Sequence, residues 1–359
     1  MTTTPTGTAV GHKVPRSDAK GKVSGDATYA ADLQLDGILW AKTVRSPYPH
    51  ARIVSIDASA ALALPGVRAV VTGDDLPANS MWGRRIVDVP LLAQGVTRFA
   101  GEQVAAVVAD DEETAQRGAD LVDVAYEELP AVLDAEAAME ADSALVHPDV
   151  QEIKGMFYKM PKAQNHFVVW DWLNGDLEQG FKDADLIIEN TYTTPNVHQV
   201  YLEPHNQVTT IDDHGVMHVW APCKAPYSAR KQTALALGLQ PEQIVFHPVT
   251  IGGDFGGKGS AMNIPLGYYL NKAVGQPVRM VFDYTEEFMA ANPRHASKLT
   301  LRTGVKRDGS IVAHDSRVVF DSGAYAGFKP AGHLMGVSGV AGPYKAAAAR
   351  ITEYMVYTN

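Results

Sequence analysis

Residues 252–258 read Gly-Gly-Asp-Phe-Gly-Gly-Lys, and this glycine-rich stretch is the feature that best predicts the fold. An apolar run precedes it over residues 243–251, and a helical pattern follows over residues 261–274. The order strand, turn and helix predicts backbone N–H groups exposed at a helix N-terminus, an arrangement that binds anions. Glycine suits such a turn because it readily takes positive φ angles and lets a ligand approach the backbone.

A nucleotide-binding P-loop is one interpretation of this stretch. Gly252, Gly257 and Lys258 satisfy the pattern G-x-x-x-x-G-K. Gly259, however, stands where the pattern requires Ser or Thr. Ser260 comes one residue later, which turns a helical side chain by about 100°. From the residues alone, a P-loop ATPase and a packing turn without a ligand both remain alternatives.

Length and composition indicate a globular protein of about two domains. The chain has 359 residues, of which 46% are hydrophobic and 20% charged. Its net charge is −10 and no run of like charges stands out. We therefore expect no nucleic-acid partner, because phosphate binding draws on clustered Lys and Arg. The N-terminus has no apolar segment of signal-peptide length and no run of 18 apolar residues occurs, which predicts a cytoplasmic protein without a membrane span.

Cys223 is the only cysteine, which limits the redox chemistry of the chain. A single thiol forms no internal disulfide and cannot hold an iron–sulfur cluster, which needs several thiolates. If electrons are transferred, another subunit must receive them. The neighbouring Lys224 favours the Cys223 thiolate by lowering its pKa, although a lone cysteine is more often a small buried residue.

Strand and helix patterns alternate in two units joined by a linker. Residues 1 to about 20 are polar and predict an extended arm, and residues 134–150 are rich in Ala and acidic residues and predict the linker. In the first unit the predicted strands are 38–44, 51–56, 67–71, 103–109 and 122–126, and the predicted helices are 57–64 and 111–122. In the second unit the predicted strands are 185–192, 216–220, 243–251 and 278–282, the predicted helices are 227–237 and 261–274, and a hairpin joins 299–305 to 311–319 through Asp308-Gly309.

The glycine loop is similar to the G-G-x-F-G-G-K loop of the xanthine dehydrogenase and aldehyde oxidase family of molybdenum hydroxylases. Many short matches in the correct order are more specific than one glycine motif. The other matching segments are Pro15-Arg16-x-Asp18-Ala19-x-x-Lys22-Val23-x-Gly25-x-Ala27-x-Tyr29, Arg45-Ser46-Pro47-x-Pro49-His50-Ala51-x-Ile53, Tyr126-Glu127-Glu128-Leu129-Pro130-Ala131-Val132, Trp172-x-x-Gly175-Asp176-x-Glu178, Tyr201-x-Glu203-Pro204, Trp220-Ala221-Pro222-x-Lys224-Ala225-Pro226 and Asp308-Gly309-x-Ile311.

The resemblance implies an α+β or α/β protein with mixed sheets and helices. Residues 1–135 would form the small α/β hammerhead domain and residues 136–359 the first molybdopterin-binding domain. The resemblance further implies an oxidoreductase chain that shares a molybdenum–molybdopterin site with a second molybdopterin-binding subunit. A 2Fe–2S subunit and an FAD subunit are the other implied partners. The implied reaction is hydroxylation of a carbon centre with water-derived oxygen, or its reductive counterpart, on a small-molecule substrate.

The resemblance also implies which residues bind the cofactor. Lys224 occupies the place of a glutamine that hydrogen-bonds an oxo ligand in the family, and Phe255 would bring its backbone near the metal. Asp254 stands where the family usually has a third glycine, and we expect it to pair with Lys224 because a carboxylate beside an anionic centre needs a cation. The predicted cofactor-binding residues are Lys224, Gly252, Gly253, Asp254, Phe255, Gly256 and Gly257.

Two positions predict the substrate pocket. Gly259 stands where purine-oxidising members carry a glutamate, and Met335 stands where they carry an arginine. Without these polar groups, the pocket would suit an aldehyde, an aromatic ring or a CoA-linked group better than a purine. The resemblance implies a glutamate as general base, and no Glu of this chain matches it, so either a partner subunit supplies it, as we expect, or the chain is a fragment of a longer protein. The chain alone would be inactive, and a cofactor-free scaffold or assembly protein remains an alternative.

His198, Glu203 and His205 form a further candidate metal site. Their spacing matches no zinc pattern. Glu203 has a family interpretation as part of a structural turn, and we expect no metal there.

Overall fold

The structure is a computed structural model that describes Gly11 and residues 13–156, 162–328 and 339–359. Seven α-helices and 17 strands are present in this part of the chain, with short 3₁₀ turns at Ala30–Asp32, Gly73–Asp75, Ala137–Met139, Val150–Glu152 and Pro241–Gln243. The helices are α1 Ala19–Ser24, α2 Ser59–Leu62, α3 Glu112–Asp120, α4 Leu177–Lys182, α5 Pro226–Leu237, α6 Ile264–Val274 and α7 Tyr284–Ala290.

The strands of the first 135 residues are β1 Leu39–Arg45, β2 Ala51–Asp57, β3 Val67–Thr72, β4 Met81–Trp82, β5 Val89–Pro90, β6 Val96–Thr97, β7 Gln103–Ala109 and β8 Asp123–Glu128. Those that follow are β9 His166–Asn174, β10 Leu186–Thr194, β11 Asn206–Ile211, β12 Met217–Trp220, β13 Ile244–His247, β14 Val278–Val281, β15 Ser297–Val305, β16 Ile311–Asp321 and β17 Ala346–Val356. Mixed sheets with helices were expected, and this expectation is confirmed.

A seven-stranded sheet combines strands from both sides of residue 135. Its order is β13-β12-β11-β14-β1-β7-β3, and β1 pairs in parallel with β14, with Leu39 opposite Val278. β7 lies inside the sheet between β1 and β3, and its residues 104–109 are fully buried. Burial on both faces explains why β7 is a continuous apolar run rather than an alternating one. The strand predicted over residues 103–109 is confirmed.

A five-stranded sheet has the order β10-β15-β16-β17-β9. The predicted hairpin is confirmed, because β15 and β16 pair antiparallel and Gly309 takes the positive φ of +88° in the turn between them. The predicted linker packs against this sheet, since Val146 and Val150 are buried in the same apolar cluster as Phe167 and Met355. The predicted linker therefore contributes buried side chains to a core.

Two expectations near the glycine loop need correction, and most of the predicted N-terminal arm is not tested. Residues 1–10 and 12 of the predicted arm lie outside the described residues, and α1 begins within the remainder. The strand predicted over 243–251 ends at His247, because Pro248 has no N–H for the ladder. The helix predicted from residue 261 begins at Ile264. Within the described ranges, no helix is long and apolar enough to cross a membrane.

Candidate cofactor-binding site

The glycine loop lies at the end of two neighbouring parallel strands. β12 and β13 pair with Trp220 opposite His247, and each strand then enters a loop at the same edge of the sheet. The two loops are joined where the Lys224 N–H donates to the Lys258 carbonyl at 3.0 Å. Ligands of open α/β sheets bind outside the carboxyl ends of the strands, so this edge is the expected place for a site.

Four glycines shape the loop in two different ways. Gly253 and Gly256 have φ of +108° and +104°, which other residues rarely adopt. Gly252 and Gly257 are needed because a larger residue would collide with a neighbouring side chain. A Cβ on Gly252 would lie 2.5 Å from the Glu203 Cβ, and one on Gly257 would lie 2.7 Å from the Tyr201 ring. The loop therefore packs closely on residues 201–203.

Asp254 organises the loop from within. Its carboxylate accepts the N–H of Gly256 at 2.9 Å and the N–H of Lys258 at 2.6 Å, and Lys224 Nζ donates to it at 3.0 Å. Burial by itself raises the pKa of Asp254, but the Gly256 N–H and the Lys224 ammonium outweigh this and hold the pKa below its ordinary value. The pairing of Lys224 with Asp254 that was expected from the sequence is present.

Lys258 is held by an internal ion pair. Its ammonium lies 2.8 Å from a Glu203 carboxylate oxygen, and the Lys258 side chain has 0% exposure. The same ammonium lies 4.5 Å from the centre of the Tyr201 ring. The same oxygen of Glu203 also accepts the Gly252 N–H at 2.7 Å. Lys258 is thus bound to the protein and cannot reach a nucleotide phosphate, and α6 begins only at Ile264, so the P-loop interpretation is wrong.

The loop N–H groups divide into two sets. Those of residues 252 and 256–258 already donate to Glu203 or Asp254. The three consecutive N–H groups of residues 253–255 have no acceptor among the described residues. Successive free N–H groups form an anion-binding concavity. Only the N–H groups of residues 253–255 are therefore available to an anionic group, whereas the sequence suggested the whole loop. These residues do not lie at a helix N-terminus.

Behind the loop lies a buried network centred on Glu287. Its carboxylate accepts the His205 N–H at 2.7 Å and the Tyr201 hydroxyl, and His205 Nδ1 lies 2.8 Å away. Burial by itself raises the pKa of Glu287, but the hydrogen bonds and charge of His205 and the Tyr201 hydroxyl lower it to about 2. Tyr201 thereby holds its ring against Gly257 and under the Lys258 ammonium.

The side chains of the further candidate metal site, His198, Glu203 and His205, are divided between two different partners. His198 Nε2 lies 3.2 Å from the Glu287 carboxylate, whereas Glu203 faces Lys258. No group of three or more His, Cys, Asp or Glu side chains within the described ranges is arranged to hold a metal ion. The two histidines position a carboxylate rather than a metal.

Arg84 is a site residue that the sequence interpretation missed. It follows β4, and its N–H donates to the Gly327 carbonyl at 2.7 Å. A Cβ on Gly259 would lie 3.0 Å from Lys224 Cε and 3.4 Å from Arg84 Nη1, so both cationic side chains pack directly against this buried glycine. No sequence motif indicated Arg84, because this residue lies about 170 positions before the loop and only the fold brings the two together. The one signal in the sequence is the pair Arg84-Arg85, shortly after Trp82.

Two further sequence expectations concern the surroundings of the loop. Met335 lies outside the described residues. Of the two interpretations of Cys223, the thiolate of lowered pKa is wrong, because burial raises the pKa of this thiol and the nearby Arg84 and Lys224 do not reverse the effect. Phe255, whose backbone is expected near the metal, has φ of +42° and is 65% exposed.

A small cavity of about 20 Å³ lies on the inner side of the loop. It is lined in part by His205, Asn206, Ser260 and Asn263, each of which has a buried polar atom without a partner among the described residues. A volume of this size holds about one water molecule, so the cavity is too small for a cofactor. The outer surface around residues 253–255 is the candidate for that role.

Comparisons with known families show the family to which the chain belongs. The sequence model of the "Molybdopterin cofactor-binding domain" matches residues 158–359, which is more than half of the chain. That of the "Aldehyde oxidase and xanthine dehydrogenase, a/b hammerhead domain" matches residues 24–130. The chain belongs to the aldehyde oxidase and xanthine dehydrogenase family. The family and the fold class predicted from the sequence are confirmed.

Relatives of this family cover nearly the whole chain. The "Nicotinate dehydrogenase large molybdopterin subunit" of Eubacterium barkeri is 31% identical over 98% of this chain and 79% of its own length. The "Xanthine dehydrogenase molybdenum-binding subunit" of Escherichia coli is 31% identical over 96% of this chain and 45% of its own. CO dehydrogenase from Oligotropha carboxidovorans has a similar structure, with a TM-score of 0.86 and 30% identity over 97% of this chain and 44% of that one. The chain thus spans about half the length of the second and third relatives. Which residues bind the cofactor stays a prediction.

Proposed function

We propose that this chain forms one wall of a molybdenum–molybdopterin site, with the cofactor against residues 253–255. The observation that carries the proposal is the row of three free backbone N–H groups, in a loop where Lys224 reaches the Asp254 carboxylate and Arg84 reaches the adjoining Gly259. An anionic cofactor fits such a surface, because N–H dipoles and positive side chains both stabilise negative charge. The open space at Gly256, where a Cβ would meet nothing within 4 Å, supports the same surface.

Of the predicted residues, Lys224, Gly253, Asp254 and Phe255 would contact the cofactor, whereas Gly252, Gly256 and Gly257, whose N–H groups donate within the protein, would shape the loop around it. Lys224 would bind through its ammonium, and the loop through its free N–H groups, while Asp254 keeps both in position. When bound, molybdopterin would supply a redox-active molybdenum centre for hydroxylation of a carbon centre, or for the reductive counterpart. Gly259 and Met335 stay the proposed substrate-pocket positions, and an aldehyde, an aromatic ring or a CoA-linked group stays preferred to a purine.

The whole enzyme extends beyond this chain in our proposal. By resemblance, the general base is a glutamate, and no Glu here matches its motif, so a partner would supply it. A second molybdopterin-binding subunit, a 2Fe–2S subunit and an FAD subunit would complete a cytoplasmic hetero-oligomer. We also propose a boundary near residue 135 between hammerhead and molybdopterin-binding domains. This boundary would separate the two sequence families, but it would not separate two sheets, because β1 and β14 pair across it.

Metal analysis of the chain together with its co-purifying partners tests the proposal. We expect molybdenum in rough equality with the chain. Lys224→Gln should lower the molybdenum content more than Lys224→Gln combined with Asp254→Gly, because the single change leaves an uncompensated carboxylate beside an anionic group. Lys182→Gln, which removes an exposed cation paired with Glu178, is the matched control and should change nothing. Absence of molybdenum and pterin would favour a cofactor-free scaffold, and equal losses in the single and double variants would remove the role of the pair.

A further inference from the structure

The cavity of about 20 Å³ on the inner side of the glycine loop lies between the start of β11 and the start of α6. Much of its wall is apolar and comes from residues such as Ala261, Met280 and Phe282. One water molecule needs about 10–15 Å³ of such space, so the cavity has room for one water and for no larger ligand. The polar atoms of the wall decide whether a water binds there.

Four polar atoms of the wall have no hydrogen-bond partner among the described residues, and all four are excluded from solvent: His205 Nε2, Asn206 Oδ1, Ser260 Oγ and Asn263 Nδ2. A buried polar atom without a partner is costly, and ordered water commonly supplies the missing bond. The Asn206 oxygen can only accept and the Asn263 nitrogen can only donate, whereas the Ser260 hydroxyl does both. A water molecule, which donates twice and accepts twice, complements this set.

Neighbouring groups fix the direction of two of these atoms. The Asn206 amide nitrogen donates to the Glu203 carboxylate at 3.2 Å and to the Pro204 carbonyl at 2.9 Å, which leaves its oxygen for the cavity. His205 Nδ1 lies 2.8 Å from the Glu287 carboxylate, which leaves Nε2 for the cavity. The protonation of Nε2 decides whether it donates or accepts, and a water complements either form. The polar part of the cavity is therefore organised before its ligand binds.

We propose that this cavity is a binding site for a single water molecule, held by His205, Asn206, Ser260 and Asn263. The bound water connects the buried Glu287–His205 network to Ser260, two residues after the glycine loop. Ser260 Oγ makes no direct bond to that network within the described ranges, so the water supplies the connection. The site positions the loop from its inner side, whereas the proposed cofactor surface lies on the outer side. It rests on the geometry of this chain and not on the proposed function.

Magnetic relaxation dispersion of the water oxygen nucleus counts the long-lived internal waters of a protein and tests the site directly. The sample is the full chain with any partner that co-purifies. Ser260→Val places methyl groups in the cavity and should lower the count by one relative to the parent, whereas Ser260→Ala leaves the water its other partners and should keep the count. Thr233→Val is the matched control, because the buried Thr233 hydroxyl donates to the Ala229 carbonyl within α5 and does not line the cavity, so the count should not change.

Displacement of the water should also loosen the glycine loop. Amide hydrogen exchange of residues 252–258 should become about tenfold faster in Ser260→Val, because three buried polar atoms then lose their partner. The exchange should change little in Ser260→Ala and Thr233→Val. The melting temperature should fall further in Ser260→Val than in Ser260→Ala, although valine fills more of the cavity.

The opposite results would overturn the inference. Equal counts of long-lived waters in the parent and Ser260→Val overturn the water site, as does a Ser260→Val variant that melts above the parent, which a dry cavity filled by methyl groups predicts. If Ser260→Val does not fold, a crystal structure of the parent decides the question. Density for one water within about 3.2 Å of at least three of the four atoms supports the site, and a cavity without density overturns it. Loss of the water without faster exchange in the loop overturns the positioning role alone.

Discussion

The Lys258 ammonium and the Glu203 carboxylate form a buried ion pair at 2.8 Å, with the Lys258 side chain fully excluded from solvent. Glu203 also accepts the Gly252 N–H, so the pair connects the two ends of the glycine loop. A buried charge that loses its partner is costly, whereas the pair itself is not strongly stabilising compared with apolar residues. The ion pair between Lys258 and Glu203 therefore holds the loop rigid.

Lys258→Met should lower the free energy of unfolding by about 3–5 kcal/mol, because it leaves the Glu203 carboxylate buried without a cation. Urea denaturation followed by fluorescence measures this change. Lys182→Met is the control, since it breaks the exposed Lys182–Glu178 pair of the same 2.8 Å length and should cost less than about 1 kcal/mol. A loss at Lys258 no larger than at Lys182 would contradict the prediction.

Glu102 should make the protein less stable as the pH rises. Burial raises its pKa to about 7, and hydrogen bonds from the Tyr325 hydroxyl and the Arg98 N–H offset this only in part. Between pH 4.5 and 7 the folded state binds more protons at Glu102 than the unfolded state does, so stability falls across this window. The loss is on the order of 3 kcal/mol.

Glu102→Gln should remove this dependence, so that parent and variant are similarly stable near about pH 5 and the variant is the more stable near about pH 8. Thermal unfolding at a series of pH values measures the difference. The exposed Glu113→Gln on α3 is the control and should follow the parent at every pH. Parallel curves for parent and Glu102→Gln would refute the prediction.

Glu287 should make the protein less stable as the pH falls below about 4.5. Its pKa is lowered to about 2, despite burial, by the hydrogen bonds and charge of His205 and by Tyr201. The stabilisation is fully present above the ordinary pKa of 4.5 and is lost as the pH falls toward 2. Glu287→Gln should therefore be much less stable than the parent at neutral pH, and the gap should narrow between pH 4.5 and 2. A gap that stays constant over this interval would exclude the carboxylate charge as its cause.

Alanine substitutions should separate the two uses of glycine in the loop. Gly256→Ala meets no atom within 4 Å and should cost about 1 kcal/mol from its φ of +104° alone. Gly252→Ala should cost about 1–3 kcal/mol more, because its Cβ would lie 2.5 Å from the Glu203 Cβ. Gly215→Ala, with φ of +79° and open space in an exposed turn, should resemble Gly256→Ala. Chemical denaturation of the three variants tests this order.

Most local elements followed from the sequence. β7 is a continuous apolar run and α3 begins at an Asp111 cap whose carboxylate accepts the Thr114 N–H, and both were predicted close to their bounds. β9 and β17 were missed, because their sequences lack a clear alternation and their pairing partners lie far along the chain. Strand pairing depends on distant residues, and a local pattern does not encode it.

The sequence likewise predicted one part of the candidate site and not the other. The ordered motifs around Gly252–Lys258 were sufficient by themselves to identify the family, and the register between residues 224 and 254 was sufficient to predict their pairing. Only the tertiary structure showed that Lys258 binds Glu203, that four loop N–H groups are already occupied and that Arg84 reaches Gly259. The contacts of Glu203 with Gly252 and Lys258 join residues 49 and 55 positions apart, and Arg84 lies 175 positions before Gly259. Such contacts arise when strands pair and cores pack, and a linear motif carries no distance between its members and the rest of the chain.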